Sequence, residues 1–152
     1  MGLHRLNLII SQNIKEIYTI SSYRRYHMTN HLDEILDMLR KFEAENEDIE
    51  GSALVSIQGL PICSNLSGND ESREGIVAAM TAAILSVGER AAQELARGNL
   101  KRILLEGKMG LIILQQAGEH TILCVLIRSD RQLGLIFMLM ESLARRISNI
   151  LE

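Results

Sequence analysis

The sequence has no tryptophan, a single proline, two cysteines and only five tyrosine or phenylalanine residues among 152. It also lacks any clustered stripe of lysine and arginine, and its formal net charge is −3. Binding to a phosphate backbone is dominated by basic contacts, so these absences exclude a nucleic-acid partner. Cys63 and Cys124 stand in separate apolar runs without metal-ligand spacing. They are expected to be small core residues kept reduced in a cytoplasm, not a metal or redox centre. No apolar run reads as long enough for a membrane span, and the densest, Leu133 to Met140, is interrupted by Gly134. Neither GxxxxGK followed by Ser or Thr nor GxGxxG occurs, so a phosphate-cradling glycine loop is excluded as well.

What is present fits one globular domain. The length suffices to bury a core, and 47% hydrophobic with 23% charged residues is ordinary for such a chain. Charge is unevenly placed, with four basic residues against one acidic in 1–27 and twelve against eighteen in the remainder. All three tyrosines, Tyr18, Tyr23 and Tyr26, also fall in 1–27, and the composition changes at Met28. We therefore read 1–27 as an N-terminal extension and 28–152 as the domain. Leu3, Leu6, Ile10, Ile14 and Ile17 share one stripe of an amphipathic helix, which would dock on a membrane surface or a partner. The expected reading is a flexible segment, or one that precedes a true start at Met28, with the docking helix as the alternative. The apolar stretch is too short and broken for a secretory signal.

After Asn30, a capping residue, Leu32, Ile35, Leu36, Leu39 and Phe42 recur at helical spacing, and the acidic stretch Glu43 to Glu50 closes this first helix. Ala53, Val55 and Ile57 alternate with Leu54 and Ser56, then Gln58 and Gly59 turn into Pro61, Ile62 and Cys63. This is a β-hairpin whose second strand, carrying the proline, belongs at a sheet edge. Ser67 to Ser72 is a polar loop, and Asp70, Glu71 and Glu74 suit the positive end of the helix that follows. That helix spans Glu71 to Arg97 and stops at Gly98, a left-handed terminator. Leu100 to Glu106, Leu111 to Gln115 and Ile122 to Ile127 are strands joined by turns short enough to require antiparallel neighbours. The latter two lack polar alternation, so the sheet should be covered on both faces. Ser129 with Gln132 makes a capping box before a last helix, whose inner stripe is Leu133, Ile136, Phe137, Met140, Leu143, Ala144, Ile147 and Leu151. The expected order is α-β-β-α-β-β-β-α, an α+β fold.

The central helix is the most informative element. At the ~100° per residue of a helix, Ile76, Met80, Ala83, Ile84, Val87, Ala91 and Leu95 share one side, which is expected to face the chain's own core. The opposite side collects Gly75, Ala78, Ala79, Ala82, Leu85, Ser86, Gln93 and Ala96, with Glu89 as its main charge. Small residues let another helix come close, so this second side is expected to face a partner.

No catalytic constellation emerges. His4 and His27 lie in the extension, and His120 sits in a hairpin turn. His31 with Asp33 and Glu34 imitates a metal cluster, but residues at a helix start are ordinarily solvated. Gly107 and Gly110 suit turn geometry, and Arg145 with Arg146 suits the end of a helix. No enzymatic activity, cofactor or metal is expected.

Three groups of residues, in this order and spacing, resemble the Roadblock/LC7 family over about Leu32 to Leu151. They are Gly59-Leu60-Pro61-Ile62, Gly88-Glu89-Arg90-Ala91-Ala92-Gln93-Glu94-Leu95, and Leu105-Glu106-Gly107 followed by Gly110. The resemblance implies a five-stranded antiparallel sheet with the central helix on one face and the terminal helices on the other. It implies a dimer with itself or a paralogue through the central helix and the following edge strand. Here that would involve Ala78, Ala79, Ala82, Leu85, Ser86 and Glu89 with Lys101, Arg102, Ile103, Leu104 and Leu105. It also implies a non-catalytic regulator or platform that binds a Ras-like small GTPase and modulates its nucleotide cycle, or else a constitutive scaffold subunit of a motor-like or membrane-associated complex. A cytoplasmic location is expected for both, with any peripheral membrane contact left to residues 1–27.

Overall fold

The computed structural model describes residues 28–66 and 71–152 together with Gln12 and Lys15. The chain divides into two compact units, Met1–Asp33 and Glu34–Glu152. In the first, Gln12, Lys15 and residues 28–33 are helical, so Asn30 lies inside a helical run and does not cap it. The apolar stripe from Leu3 to Ile17, the three tyrosines, His4 and His27 lie outside the described residues, as does 67–70 of the expected polar loop.

The second unit opens with α1 (34–44), followed by β1 (Ile49–Ser56), β2 (Pro61–Asn65), α2 (Glu71–Glu94), β3 (Arg102–Gly107), β4 (Gly110–Gln116), β5 (Thr121–Ile127) and α3 (Leu133–Leu151). The strands form one antiparallel sheet in the order β2-β1-β5-β4-β3. β5 is central, and its run Ile122 to Val125 is buried throughout because layers cover both of its faces. Pro61 stands on an edge strand, opposite Val55 beyond a break in register after Leu54, where a missing N–H costs the ladder little.

On one face α1 contributes Ile35, Met38, Leu39 and Phe42, and α3 contributes Ile136, Met140, Leu143, Ala144 and Ile147. They close over Leu54, Leu111, Ile113, Leu123, Val125 and Ile127. On the other face lies α2, over a thinner core of Ala53, Val55, Leu114, Ile122 and Cys124 that meets Ala78 and Leu85. Cys63 packs against the first core and Cys124 lies in the second, on opposite faces of the sheet. Burial pushes both thiols up to about 11, which keeps them protonated and unreactive.

The expected capping box does not form. Gln132 is the N-cap of α3 without a side-chain hydrogen bond, while Ser129 Oγ accepts from the N–H and Nε of Arg131. The end of α2 also differs from expectation. Ala96, at φ 54°, takes a left-handed position two residues before Gly98, itself at φ 79°, and Arg97 N–H donates to Ala92 O at 2.7 Å. Such a bond closes a helix with an αL residue at its end, here one bearing a Cβ.

A candidate protein-interaction face

The two sides of α2 are the reverse of what hydrophobic content alone indicates. Ala78, Thr81 and Leu85 are 0%, 3% and 4% exposed against the sheet, with Val77, Ala82 and Ile84 half-buried beside them. Ile76, Met80 and Val87, expected in the core, are 59%, 57% and 71% exposed, and Ala83, Ala91 and Leu95 are exposed as well. Of that expected core stripe, only Ile84 turns inward. The cause is distance, since a helix laid flat on a sheet needs small residues at the contact. Gly88 marks this need most sharply. A Cβ there would stand 2.5 Å from Ile103 Cδ1 and 3.3 Å from Leu100 Cδ2, so the missing side chain admits β3. At the other end, Gly59 at φ +87° brings the β1–β2 turn against Ala79, where a Cβ would lie 3.3 Å from the helix Cα.

The helix residues expected at an interface therefore separate. Ala78 and Leu85 are enclosed in the chain's own core, Ala82 and Glu89 are half-buried, and Ala79 and Ser86 are exposed. Lys101, just before β3, is exposed, as are Leu104 and Leu105 within it, whereas Arg102 and Ile103 are half-buried. Sequence reasoning missed Ile76, Met80 and Val87 as surface residues because both sides of α2 are apolar, and periodicity finds a stripe without saying which one is inside. Of the small-residue side, Ala78 and Leu85 meet the chain's own sheet, while Ala79, Ser86, Gln93 and Ala96 stay exposed.

Composition carries a second correction. Ser72–Glu94 reaches the length and apolarity of a membrane span, with a mean hydropathy of 1.3, against the expectation that no run does. Its alanines raise that value, and a helix packed on a sheet reaches it equally well. The apolar outer side is thus an uncovered stripe on a helix whose inner side is already seated. From Ile76 to Ala91 it extends roughly 22 Å at the helical rise.

Beyond the C-terminal half of α2, the sheet itself is only partly covered. The register with β4 sets Ile103 and Leu105 on the α2 face, opposite Leu114 and Ile112. Ile103 packs with the α2 core, while Leu105 and Ile112 are each 37% exposed. Arg102, Leu104 and Glu106 alternate onto the α1/α3 face. There the Arg102 guanidinium lies 4.2 Å from the Phe137 ring centroid, with Glu141 at 4.0 Å. β3 closes one edge of the sheet, with no strand beyond it among the described residues.

Among the described residues, no group of three or more His, Cys, Asp and Glu side chains is placed to hold a metal. His120 is exposed with Glu119 at 4.0 Å, and Arg90, Arg97, Arg145 and Arg146 are exposed. What the arrangement offers is apolar contact area along α2 and a strand edge, which suit a protein partner.

Residues 35–127 match the Roadblock/LC7 domain family. The chain is 36% identical over 116 residues to the uncharacterized protein MJ1340 of Methanocaldococcus jannaschii, covering 76% of this chain and 96% of that one. Among solved structures, the Roadblock/LC7 domain from Streptomyces avermitilis superposes with a TM-score of 0.70 at 20% identity, over 76% of this chain and 96% of that chain. Myxococcus xanthus MglB gives 0.70 at 16% identity, over 79% and 89%. At these identities the structural likeness establishes the shared fold, the five-stranded sheet with helices on both faces.

Proposed function

Because the chain belongs to the Roadblock/LC7 domain family, we propose that it is a dimeric, non-catalytic regulator or platform that binds a Ras-like small GTPase in the cytoplasm and modulates its nucleotide cycle. The observation that carries this reading is the uncovered outer stripe of α2, Ile76, Met80, Ala83 and Val87, on a helix whose inner face is already packed. A second copy or a paralogue laid along that stripe and along β3 would bury it together with Leu105 and Ile112, and would remove an open strand edge. The joined surface would then be the platform for the GTPase, with the nucleotide chemistry residing in that partner.

The test is capture from a lysate of the source organism on the immobilised full chain, with a GTP analogue or GDP added in parallel. A small GTPase retained in only one nucleotide state supports a regulator that reads the switch. Equal recovery of the same companions in both states supports the constitutive scaffold instead. Recovery of no GTPase in either state removes the regulatory reading.

A further inference from the structure

The turn that joins β4 to β5, Ala117 to His120, is fixed by its own backbone. Ala117 N–H donates to Thr121 O at 2.8 Å, Thr121 Oγ1 donates back to Ala117 O, and His120 O accepts from Ile57 N–H at 3.0 Å. These bonds fasten the turn to the end of β1 and use neither the N–H of Glu119 nor that of His120. Both serve a carboxylate at the end of α3. Glu119 N–H donates to Glu152 Oε1, and the backbone N–H of His120 also favours the ionised form of that group. Successive backbone N–H groups turned to one side make an anion-binding concavity, a nest.

The turn is shaped round the group it holds. Gly118 stands at φ +106°, and a Cβ there would lie 2.5 Å from Glu152 Oε1, 2.9 Å from its Cδ and 3.1 Å from Ser148 Oγ. Backbone conformation and space thus both call for glycine. The second carboxylate oxygen, Oε2, accepts from Ser148 Oγ at 2.9 Å, so donors close on both oxygens. Glu152 is the C-cap of α3, where the negative end of the helix dipole disfavours an anion. The hydrogen bonds from Glu119 N–H and Ser148 Oγ nevertheless hold its carboxyl below its ordinary value. As a helix cap the residue is ill chosen, but as a ligand of the turn it is well placed.

We propose that the turn from Gly118 to His120 is a carboxylate-binding nest whose resident ligand is Glu152, so that the site is closed to other carboxylates while the end of α3 is seated. An aspartate or glutamate side chain of a protein partner meets the same backbone donors once Glu152 leaves. The site lies apart from the outer side of α2 and from β3, at the opposite end of β4 from the β3–β4 turn.

The experiment follows the amide resonances of the isotope-labelled full chain, as wild type and as Glu152→Ala, during titration with sodium acetate or, at equal ionic strength, sodium chloride. Glu152 is exposed, so its truncation leaves the fold in place. Glu152→Ala should move the Glu119 and His120 amide protons upfield, because charge-assisted hydrogen bonds are lost. Acetate, unlike chloride, should return them saturably toward their wild-type positions, while the wild type shows no such response. Gly118→Ala added to Glu152→Ala puts a Cβ where the carboxylate lies and should weaken acetate binding at least about tenfold. Amides of Glu119 and His120 that stay in place in Glu152→Ala show that the turn holds no carboxylate, and overturn the proposal. Amides that move but answer acetate and chloride alike reduce the contact to a cap on α3 and overturn the binding site. A wild type that takes acetate as tightly as Glu152→Ala overturns the occupancy of the nest by Glu152.

Discussion

The two faces of the sheet are built on different plans. Under α1 and α3 the contact residues are long aliphatic side chains, and Ile35, Leu39, Ile136, Met140 and Ile147 are each almost wholly enclosed. Under α2 the contact is made by Ala78, Thr81, Ala82, Leu85 and Gly88, while Ile76, Met80 and Val87 point away. The first face is a finished core. The second is thin within the chain, with an apolar layer left on its outer surface. A helix that seats Ala78, Ala82 and Gly88 against its own sheet and leaves Ile76, Met80 and Val87 exposed presents an apolar side that no third layer covers among the described residues.

The largest effect expected from this contrast is in stability. Leu123 is fully enclosed on the central strand beneath α1 and α3, and Leu123→Ala should cost about 3–5 kcal/mol for the lost burial and the cavity left behind. Val87→Ser, at a 71% exposed site on α2, should change the stability of the dilute monomer by less than about 0.5 kcal/mol. Urea unfolding of both at concentrations too low for association checks the pair. Comparable losses at the two positions would mean that Val87 is part of the chain's own core and that the contrast between the faces is mistaken.

A smaller loss should follow when the approach of α2 to β3 is obstructed. Gly88→Val places branched carbons where Ile103 Cδ1 already stands 2.5 Å from an ideal Cβ, so α2 or Ile103 must shift. Overpacking of this kind costs about 1–3 kcal/mol. Hydrogen exchange should locate the change. Amides of α2 and β3 are expected to lose protection while those of α1 and α3 keep theirs, whereas uniform loss would show that the faces are not independently packed.

These contrasts also explain which parts of the structure were legible in the sequence. Leu111 to Leu114 and Ile122 to Ile127 announced a sheet covered on both faces because no polar residue interrupts them, and Pro61 announced an edge because proline cannot donate to a ladder. The orientation of α2 was not legible, since Ile76, Met80 and Val87 outrank Ala78 and Ala82 in hydrophobicity, whereas packing on a flat sheet selects for closeness. The capping box failed for a local reason: Arg131 engages Ser129 Oγ before the helix begins. Gly98 is left-handed as expected, at φ 79°, and Ala96 joins it two residues earlier because α2 ends before its apolar pattern does. Of the expected interface, β3 stands at an open edge, while Ala78 and Leu85 are committed to the interior.

The smallest effect concerns a carboxylate on the finished face. Glu43 on α1 accepts hydrogen bonds at Oε2 from Asn65 Nδ2 at 2.6 Å and from the buried Ser52 Oγ at 3.2 Å, tying α1 to β1 and β2. Burial raises its carboxyl from its ordinary value, and the two hydrogen bonds oppose that shift without cancelling it. The folded chain therefore holds this proton more tightly than the unfolded chain does. The contribution of the group to stability is full below its unfolded pKa and is lost as pH rises through its folded pKa. Glu43→Gln keeps an amide oxygen to accept from Ser52 and Asn65 but carries no charge to desolvate. Between pH 4 and pH 7.5 its urea midpoint should thus rise relative to that of the wild type, with the relative gain confined to the titration of Glu43. A midpoint that instead falls relative to the wild type as pH rises would mean that the hydrogen bonds from Ser52 and Asn65 outweigh desolvation. The α1 side would then be fastened by a charged tie, not merely by its apolar thickness.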